Sequence, residues 1–556
     1  MAVVYVNDKE VDIGEERLNL IQAAQKAGVF IPHYCWHPEL TVVASCRMCL
    51  VEVGERKPDG TTSMVPKVVP GCQTPAKNGT IIVTDSPKAK HAQQQTLESL
   101  LLNHPLDCPV CDKAGECQLQ DFSYEFGRST SRMIDDKNHP PNKPHIGDEI
   151  TLFADRCIMC SRCVRFTREI SGTAELQVIN RGDHSEIDIF PGEPLNNKLA
   201  GNVVDLCPVG ALCSKDFLYK QRVWFLKDTP SVCAGCSTGC SIHVDHNKNV
   251  VYRLRPRENP QAQGYFMCDE GRFDYAYVNS PDRIGEPHVR VDGKLQPTTW
   301  EQVLPTLRRD ISDHIAKQAS AVGVVLSPFL TCEEAYLLAK WFKDQSSAVR
   351  LFLGKIPVEG EDDTYPKDRK GNPVEPVRFT IRAEKCPNRL GVEAILKHFE
   401  SGVRNFEAFL HEAGNGRLSL AYVAAGYPPR PTPWLPEDWA KGLEQVPYLI
   451  VQDLFPSPAT EKANYVLPSG SFAEKDGTFI NHANLAQPLR RAVSPGHVTR
   501  TESQAFMALS ERVGLFHAAT IRNEMAREIP FFASLGDDLI PLGVLMGNGE
   551  SSHTPT

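Results

Sequence analysis

The segment Cys157-Ile158-Met159-Cys160-Ser161-Arg162-Cys163 carries three cysteines at the spacing C-x2-C-x2-C. In bacterial ferredoxins this spacing belongs to thiolate ligands of a 4Fe-4S cluster, and a fourth cysteine followed by proline comes three residues later. Here Cys207-Pro208 stands 43 residues further on, and we expect Cys207 to be the fourth ligand, with Cys213 as the alternative. In two-cluster ferredoxins the Cys-Pro cysteine binds the other cluster, but a single C-x2-C-x2-C run argues against such an exchange here.

A second group of candidate ligands precedes this run. His104, Cys108, Cys111 and Cys117 follow the spacing H-x3-C-x2-C-x5-C. Taken alone, a histidine before a proline is an ordinary solvent-exposed residue at a helix end. Three close cysteines need a fourth ligand, however, and an imidazole can supply it while changing the charge and potential of the cluster. We therefore expect His104 to be a ligand of a second 4Fe-4S cluster.

The first group along the chain has the spacing C-x10-C-x2-C-x22-C and consists of Cys35, Cys46, Cys49 and Cys72. It is a variant of the plant-type 2Fe-2S spacing with a longer first loop. The central pair lets two thiolates of one tight turn bind one metal centre, while the outer two arrive from separate segments. Zinc or unreactive thiols are the alternative interpretation, although the spacing is irregular for zinc.

A fourth group has the spacing C-x2-C-x3-C-x27-C, which also suits a 4Fe-4S cluster, and consists of Cys233, Cys236, Cys240 and Cys268. Three cysteines remain outside these groups, and we interpret them as buried thiols: Cys213, Cys332 and Cys386. Several redox centres in one chain predict that single electrons pass from one centre to the next.

Composition excludes several other classes of function. The chain has 556 residues, eighteen cysteines and a formal net charge of -9 at pH 7, which does not favour nucleic-acid binding. No signal peptide begins the sequence, and no apolar stretch approaches the roughly 20 residues of a membrane helix, so we expect reduced, metal-binding cysteines rather than disulfides. Neither G-x-G-x-x-G nor G-x-x-x-x-G-K-[ST] occurs, so no flavin, NADH or nucleoside triphosphate site and no catalytic residue are predicted in this chain.

Hydrophobic patterns predict the main elements. Residues 3–6 and 11–13 read as two strands, and a helix capped by Gly28 follows them. Ser86 and Pro87 open a second helix that ends before His104. In the second half, apolar runs at 322–326, 420–424, 448–451 and 465–467 alternate with helical patterns. This alternation, with a capping box at Thr331 and Glu334, predicts a layered α/β domain, and residues 354–377 read as an exposed insertion.

Five motifs together resemble the large, 75-kDa-type iron–sulphur subunit of respiratory complex I, the bacterial NADH:quinone oxidoreductase. They are IPHYC at 31–35, CRMC at 46–49, HPLDCPVC at 104–111, DRCIMC at 155–160 and LCPVGAL at 206–212. The resemblance covers roughly residues 1–280. It implies a 2Fe-2S cluster on the first ligand group and 4Fe-4S clusters on the groups that begin at His104 and Cys157. It matches the group that begins at Cys233 to an extra 4Fe-4S cluster of many bacterial members.

The resemblance also implies a multidomain α+β and α/β fold. A ferredoxin-like β-grasp 2Fe-2S domain is expected at 1–82, a His/Cys-ligated 4Fe-4S domain at 83–122, a ferredoxin-type 4Fe-4S domain at 123–225 and a molybdopterin-oxidoreductase-type 4Fe-4S domain at 226–285. Residues 286–556 are similar to a truncated, degenerate molybdopterin-oxidoreductase domain, chiefly through ANYVLP at 463–468 and FAEKDGTF at 472–479. Glu270 stands where molybdenum enzymes tend to have a basic residue between cluster and pterin, so no molybdopterin is expected.

In that family a neighbouring flavin subunit oxidises NADH, and the clusters relay its electrons towards quinone. The resemblance therefore implies a bacterial source, other peripheral-arm iron–sulphur subunits as further partners, no nucleic acid, no membrane span, and a place on the cytoplasmic side of the inner membrane. The alternatives are the iron–sulphur subunit of an NAD-linked hydrogenase, a molybdopterin-dependent formate dehydrogenase with Cys332 or Cys386 as metal ligand, and a scaffold protein held together by zinc.

Overall fold

The chain folds into two units whose first border falls at Leu226, upstream of the fourth cysteine group. In the computed structural model, which describes residues 2–57, 59–431, 433–496, 498–536 and 541–546, one unit comprises Met1–Leu226 and Tyr365–Val377. The other comprises Lys227–Thr364 and Arg378–Thr556. The finer predicted domain borders stay predictions, and residues 547–556 of the predicted last domain lie outside the described part.

The first unit begins with a mixed sheet. Its strands are β1 (Ala2–Val6), β2 (Lys9–Gly14), β3 (Leu50–Arg56), β4 (Thr62–Met64), β5 (Val69–Pro70) and β6 (Thr80–Val83). The order is β2-β1-β6-β3-β4, with β5 paired to β3 and with β1 parallel to β6. Helix α1 (Leu20–Lys26) starts at a capping box formed by Asn19 and buries Leu20 and Ile21. The predicted strands and helix are confirmed, and the arrangement is the expected β-grasp.

The remainder of the first unit consists of short elements. They are α2 (Pro87–Leu101), α3 (Gln118–Phe126), β7 (Ile150–Leu152), α4 (Arg162–Glu169), β8 (Leu176–Ile179), β9 (Glu186–Ile189), α5 (Asn202–Leu206) and β10 (Leu212–Ser214). Strands β7 and β10 pair antiparallel, as do β8 and β9. The predicted start of α2 at the Ser86 cap is confirmed.

Part of the predicted insertion at 354–377 is not simply an exposed loop. Its segment Tyr365–Val377 belongs to the first unit, where the Lys367 amide donates to the Ile170 carbonyl at 3.0 Å and Tyr365 is buried. Sequence could not show this, because the hydrogen bond joins residues almost 200 positions apart.

The second unit opens with the antiparallel sheet β11 (Lys227–Val232), β12 (Ser241–Asn247) and β13 (Val250–Pro256), followed by α6 (Asp269–Phe273). The later strands are β14 (His288–Val291), β15 (Lys294–Pro297), β16 (Val322–Leu326), β17 (Arg350–Leu353), β18 (Asp363–Tyr365), β19 (Phe379–Ile381), β20 (Leu420–Ala424), β21 (Tyr448–Asp453), β22 (Tyr465–Pro468), β23 (Gly477–Ile480), β24 (Leu485–Leu489) and β25 (Val544–Leu545). The later helices are α7 (Trp300–Gln318), α8 (Cys332–Gln345), α9 (Arg389–Phe399), α10 (Phe406–Gly414), α11 (Glu437–Ala440), α12 (Pro458–Lys462), α13 (Glu502–Leu509) and α14 (Ala518–Glu528).

A seven-stranded sheet of order β15-β14-β22-β21-β20-β16-β17 forms the centre of the second unit. Its five strands from β22 to β17 run parallel. Val324 and Val325 of β16 belong to different hydrophobic clusters, because successive side chains of a strand point to opposite faces. Apolar residues therefore cover both faces, as expected of a parallel sheet between helices, and the predicted α/β domain is confirmed. No helix within the described ranges combines the length and the apolar character that a membrane crossing requires.

Candidate functional site

All eighteen cysteines lie in the described part of the chain, and all are free thiols. Among the predicted ligands, Cys108 is exposed, Cys46 and Cys157 are half-buried, and the other cysteines are buried. A buried group of free thiols, unlike a disulfide pair, leaves sulfur atoms available to bind metal.

The first group is assembled by the β-grasp domain. Cys35 lies in the long loop after α1, Cys46 and Cys49 precede β3, and Cys72 follows β5. The Cys35 amide donates to Cys46 Sγ at 3.4 Å. A hydrogen bond to Cys46, followed by one to Cys72, lowers the pKa of Cys35, and a hydrogen bond to Cys72 lowers the pKa of Cys49. All four predicted ligands of the 2Fe-2S cluster therefore lie together.

The third group is closed by pairing of β7 with β10. The cysteine run follows β7 and Cys207 precedes β10, so the antiparallel pair removes the separation along the sequence. Burial, and then the charges of Cys160 and Cys207, raises the pKa of Cys157. Cys207 also contributes to the raised pKa values of Cys160 and Cys163. The structure thus brings Cys207 together with the run.

The second group lies between α2 and α3. His104 follows α2, and Cys117 is the N-cap residue of α3. Burial, opposed by the charge of Asp155, lowers the pKa of His104, which favours the neutral imidazole that metal ligation requires. Its Nδ1 atom is buried and has no hydrogen-bond partner among the described residues. Burial also raises the pKa of Cys117 to about 11, with the charge of Cys111 adding to the effect.

The turn after Cys207 separates the second and third groups. Cys117 Sγ lies 3.8 Å from the Pro208 carbonyl oxygen, and a Cβ atom added to Gly210 would overlap Cys111 Sγ. Glycine is therefore required at this position. The motif thus supplies a candidate ligand to one group and closely lines the other.

The fourth group belongs to the second unit. Cys233 follows β11, Cys240 precedes β12, and the Cys233 amide donates to the Cys240 carbonyl at 2.8 Å. Cys268 caps α6, where its Sγ accepts from the Gly271 amide at 3.3 Å. Burial, and then the charge of Cys236, raises the pKa of Cys233 to about 12.

Glu270, which replaces a basic residue in the comparison with molybdenum enzymes, carries its own basic partners. Lys385 Nζ lies 2.5 Å from Glu270 Oε2, and Arg430 Nη1 lies 3.0 Å from Glu270 Oε1. Arg430 also donates to the Gly235 carbonyl at 2.7 Å. Positive charge is thus present beside the fourth group, although the sequence position itself is acidic.

The buried thiols fit iron–sulphur clusters chemically. Burial raises the pKa of most of these cysteines, so without metal they remain neutral thiols, whereas bound iron holds them as thiolates. Backbone amides of Met159 and Gly235 already point at Cys157 and Cys233 sulfurs, each at 3.4 Å. Such hydrogen bonds stabilise negative charge on a ligand sulfur.

The sequence interpretation missed three buried arginines, Arg156, Arg162 and Arg165, which surround the third group. The available signal was their placement immediately before and within the cysteine run. The three spare cysteines are buried, as predicted. The charges of Cys111 and Cys207 act on Cys213, and Cys332 and Cys386 lie near Asn388 and Glu384 respectively.

Models of known protein families match five stretches of the chain. The 2Fe-2S iron-sulfur cluster binding domain matches residues 3–87, and the NADH-ubiquinone oxidoreductase-G iron-sulfur binding region matches 93–132. The ferredoxin-like domain of NADH-quinone oxidoreductase subunit 3 matches 147–213. The molybdopterin oxidoreductase Fe4S4 domain matches 226–280, and the molybdopterin oxidoreductase family matches 436–512.

Curated relatives carry related names. The NADH-quinone oxidoreductase subunit designated G in Rickettsia conorii is 36% identical over 340 residues, which are 61% of this chain and 48% of that protein. The mitochondrial NADH dehydrogenase (ubiquinone) iron-sulfur protein 1 of Solanum tuberosum is 38% identical over 322 residues, 58% of this chain and 42% of that protein. The chain thus spans less than half the length of these two relatives. A crystal structure of an NAD+-reducing NiFe-hydrogenase contains a chain with 27% identity and a TM-score of 0.35, covering 40% of this chain and 91% of that one.

The fold, the ligand groups and these matches define a chain of 2Fe-2S and 4Fe-4S binding domains followed by a molybdopterin-oxidoreductase-type α/β domain. Among such chains, this one is related to the large iron–sulphur subunit of NADH-quinone oxidoreductase, which is named the 75 kDa subunit in one of its relatives. The resemblance predicted from the sequence motifs is confirmed.

Proposed function

We propose that this chain is the electron-transfer iron–sulphur subunit of an NADH:quinone oxidoreductase of the complex I type. The observation that carries the proposal is the convergence of each predicted ligand group in the fold, including the distant Cys207 and the buried, unpartnered Nδ1 of His104. Relatives named as subunits of this oxidoreductase support it.

The four groups are proposed to hold one 2Fe-2S and three 4Fe-4S clusters, which accept and donate single electrons when bound. The 2Fe-2S ligands are Cys35, Cys46, Cys49 and Cys72. The three sets of 4Fe-4S ligands are His104, Cys108, Cys111 and Cys117; Cys157, Cys160, Cys163 and Cys207; and Cys233, Cys236, Cys240 and Cys268. No molybdopterin is part of the proposal.

The chain's own residues bind, orient and shield. Buried thiols exclude water from the third and fourth groups, and backbone amides donate to ligand sulfurs. The exposed Cys108 gives the second group an edge that reaches the surface. Burial and hydrogen bonding are the means by which a protein sets cluster potentials, so the chain's task is to position and tune the centres.

We further propose the partners and place that such a role requires. Electrons enter from a flavin-containing, NADH-oxidising subunit and leave through other peripheral-arm iron–sulphur subunits towards quinone. The chain then sits on the cytoplasmic side of a bacterial inner membrane, held there through its partner subunits. No nucleic acid takes part.

Metal analysis of the anaerobically purified full chain tests the cofactor assignment. The ligand groups predict about 14 irons per chain and no molybdenum. About 10 irons would mean that one 4Fe-4S cluster is absent. Zinc in place of iron would contradict the redox function, and stoichiometric molybdenum would favour a molybdopterin enzyme.

A substitution tests the relay itself in the assembled oxidoreductase. Cys157→Ala removes one ligand of the third group, so we expect quinone reduction to stop while NADH oxidation by an artificial acceptor at the flavin continues. Cys332→Ala, which changes a buried thiol outside the four groups, is the matched control and should retain both activities. Equal loss of both activities in the Cys157 variant would indicate failed assembly and would not support the relay.

A further inference from the structure

Helix α4 carries two buried arginines one turn apart. Arg162 and Arg165 are each 6% exposed, and the helix begins immediately after Cys160 and Ser161. Residues three apart on a helix lie on the same face, so the two guanidinium groups extend from one side of α4. Arg168, one further turn along the helix, is exposed.

Each guanidinium connects the first ligand group with the third. Arg165 Nη2 donates to the Cys35 carbonyl and, at 3.3 Å, to the Cys160 carbonyl. Arg162 Nη2 donates to the Trp36 carbonyl at 2.6 Å, and its Nη1 donates to the Leu206 carbonyl at 3.3 Å. Trp36 follows Cys35, and Leu206 precedes Cys207. Both arginines therefore bridge residues that are, or directly adjoin, candidate ligands of two different clusters.

The charge of these arginines is not neutralised by a carboxylate. Within the described ranges, neither guanidinium forms an ion pair, and the Nε atom of each is buried without a hydrogen-bond partner. A buried cation is costly unless opposite charge or hydrogen bonds compensate it. Carbonyl oxygens supply part of that compensation. The ligand sulfurs of the two groups supply the remaining negative charge when they are thiolates.

We propose that Arg165, supported by Arg162, is a positioning residue shared by the first and third centres. It fixes the two ligand loops relative to each other, and its positive charge raises the reduction potential of both clusters. Reduction adds one electron to a cluster, and a nearby cation stabilises the added negative charge. This inference rests on the proposed function, because it requires clusters on both ligand groups.

The test is a redox titration of the full, anaerobically purified chain, followed by electron paramagnetic resonance of the 2Fe-2S and 4Fe-4S signals. Arg165→Gln removes the charge, and we expect both midpoint potentials to become more negative. Arg168→Gln removes the same charge from the same helix at an exposed position, where water screens it, and both potentials should stay at the wild-type values.

A second variant separates charge from packing. Arg165→Lys keeps the charge, so both clusters should load and both potentials should shift less than in Arg165→Gln. Loss of both clusters in the lysine variant would show that the side chain acts through packing alone and would overturn the inference.

Other outcomes also decide the matter. Full iron content with unmoved potentials in Arg165→Gln would overturn the inference, and so would a shift confined to one centre or an equal shift in Arg168→Gln. A wild-type chain without either signal would contradict the proposed function itself, and the inference would fall with it.

Discussion

Arg156 donates two hydrogen bonds to one carboxylate oxygen of Asp107, from Nε at 3.0 Å and from Nη2 at 2.8 Å. Asp107 adjoins Cys108 and Arg156 adjoins Cys157, so this ion pair connects the second and third ligand groups. The Arg156 side chain is 5% exposed, and its guanidinium lies 4.0 Å from the centre of the Phe153 ring. The charge is therefore enclosed on several sides.

Breaking this ion pair should destabilise the first unit. Asp107→Ala leaves the Arg156 guanidinium buried without its carboxylate, and we expect the free energy of unfolding to fall by about 1.5–3 kcal/mol, measured by urea denaturation. Glu16→Ala is the control, because it removes an exposed ion pair with Lys26 and should cost less than about 1 kcal/mol. Equal effects of the two substitutions would show that the Asp107 pair has no special weight.

The Gly210 position should control loading of the second cluster. In Gly210→Ala the new Cβ overlaps Cys111 Sγ, so the thiolate cannot hold the position that a bound cluster needs. We expect iron content to fall by about four per chain, with the third and fourth 4Fe-4S signals retained. Gly402→Ala, where no atom lies within 4 Å of the added Cβ, should keep the full content. Unchanged iron in the Gly210 variant would refute the close packing.

Substitution of His104 should distinguish a ligand from a structural histidine. His104→Ala is expected to lose about four irons, because the second group then has three ligands. His104→Cys should keep these irons but lower the midpoint potential of that cluster, since an anionic thiolate replaces a neutral imidazole. Iron analysis and a redox titration measure the two effects. If the alanine variant retained all its iron at an unchanged potential, His104 would not be a ligand.

Cys207 and Cys213 provide a matched pair for the fourth ligand of the third group. Cys207 is the neighbour of the cysteine run, whereas Cys213 Sγ lies 3.6 Å from the Gly210 carbonyl oxygen. We expect Cys207→Ser to abolish the third 4Fe-4S signal and Cys213→Ser to preserve all signals. The reverse result would make Cys213 the ligand, as the alternative interpretation of the sequence holds.

Asp453 should give the second unit a characteristic dependence on pH. Burial raises the pKa of Asp453 to about 7, although hydrogen bonds from Leu454, Trp434 and Ser457 oppose the shift. Unfolded aspartate has a pKa of about 3.9, so between these values the folded state binds more protons than the unfolded state. Stability from this group is therefore complete below the unfolded pKa and is lost as pH rises through about 7.

The measurement is the free energy of unfolding of the second unit at several pH values. We expect the wild-type chain to lose about 2–3 kcal/mol between pH 5 and pH 8 relative to Asp453→Asn, which cannot ionise. The difference in slope is the readout, because asparagine changes the hydrogen bonds at every pH. Parallel curves for the two chains would contradict the raised pKa.

Local patterns in the sequence were sufficient for much of the fold. The capping box at Thr331 begins α8, and the apolar run 322–326 is β16, because caps and strand alternation depend on neighbouring residues. Ligand spacing was equally informative, since a C-x2-C turn constrains two sulfurs within a few residues. The choice between Cys207 and Cys213 was different in kind, because it depended on how β7 pairs with β10.

The sequence by itself determined the four ligand groups, the β-grasp start and the α/β character of the second half, because short spacings and periodic hydrophobicity encode them. Only the tertiary structure decided that Tyr365–Val377 folds with the first unit, that Lys385 and Arg430 neutralise Glu270, and that Arg165 joins two ligand loops. These relationships connect residues over a hundred positions apart. Their partners are selected by burial and by the need to satisfy buried charge, which act only once the chain has folded.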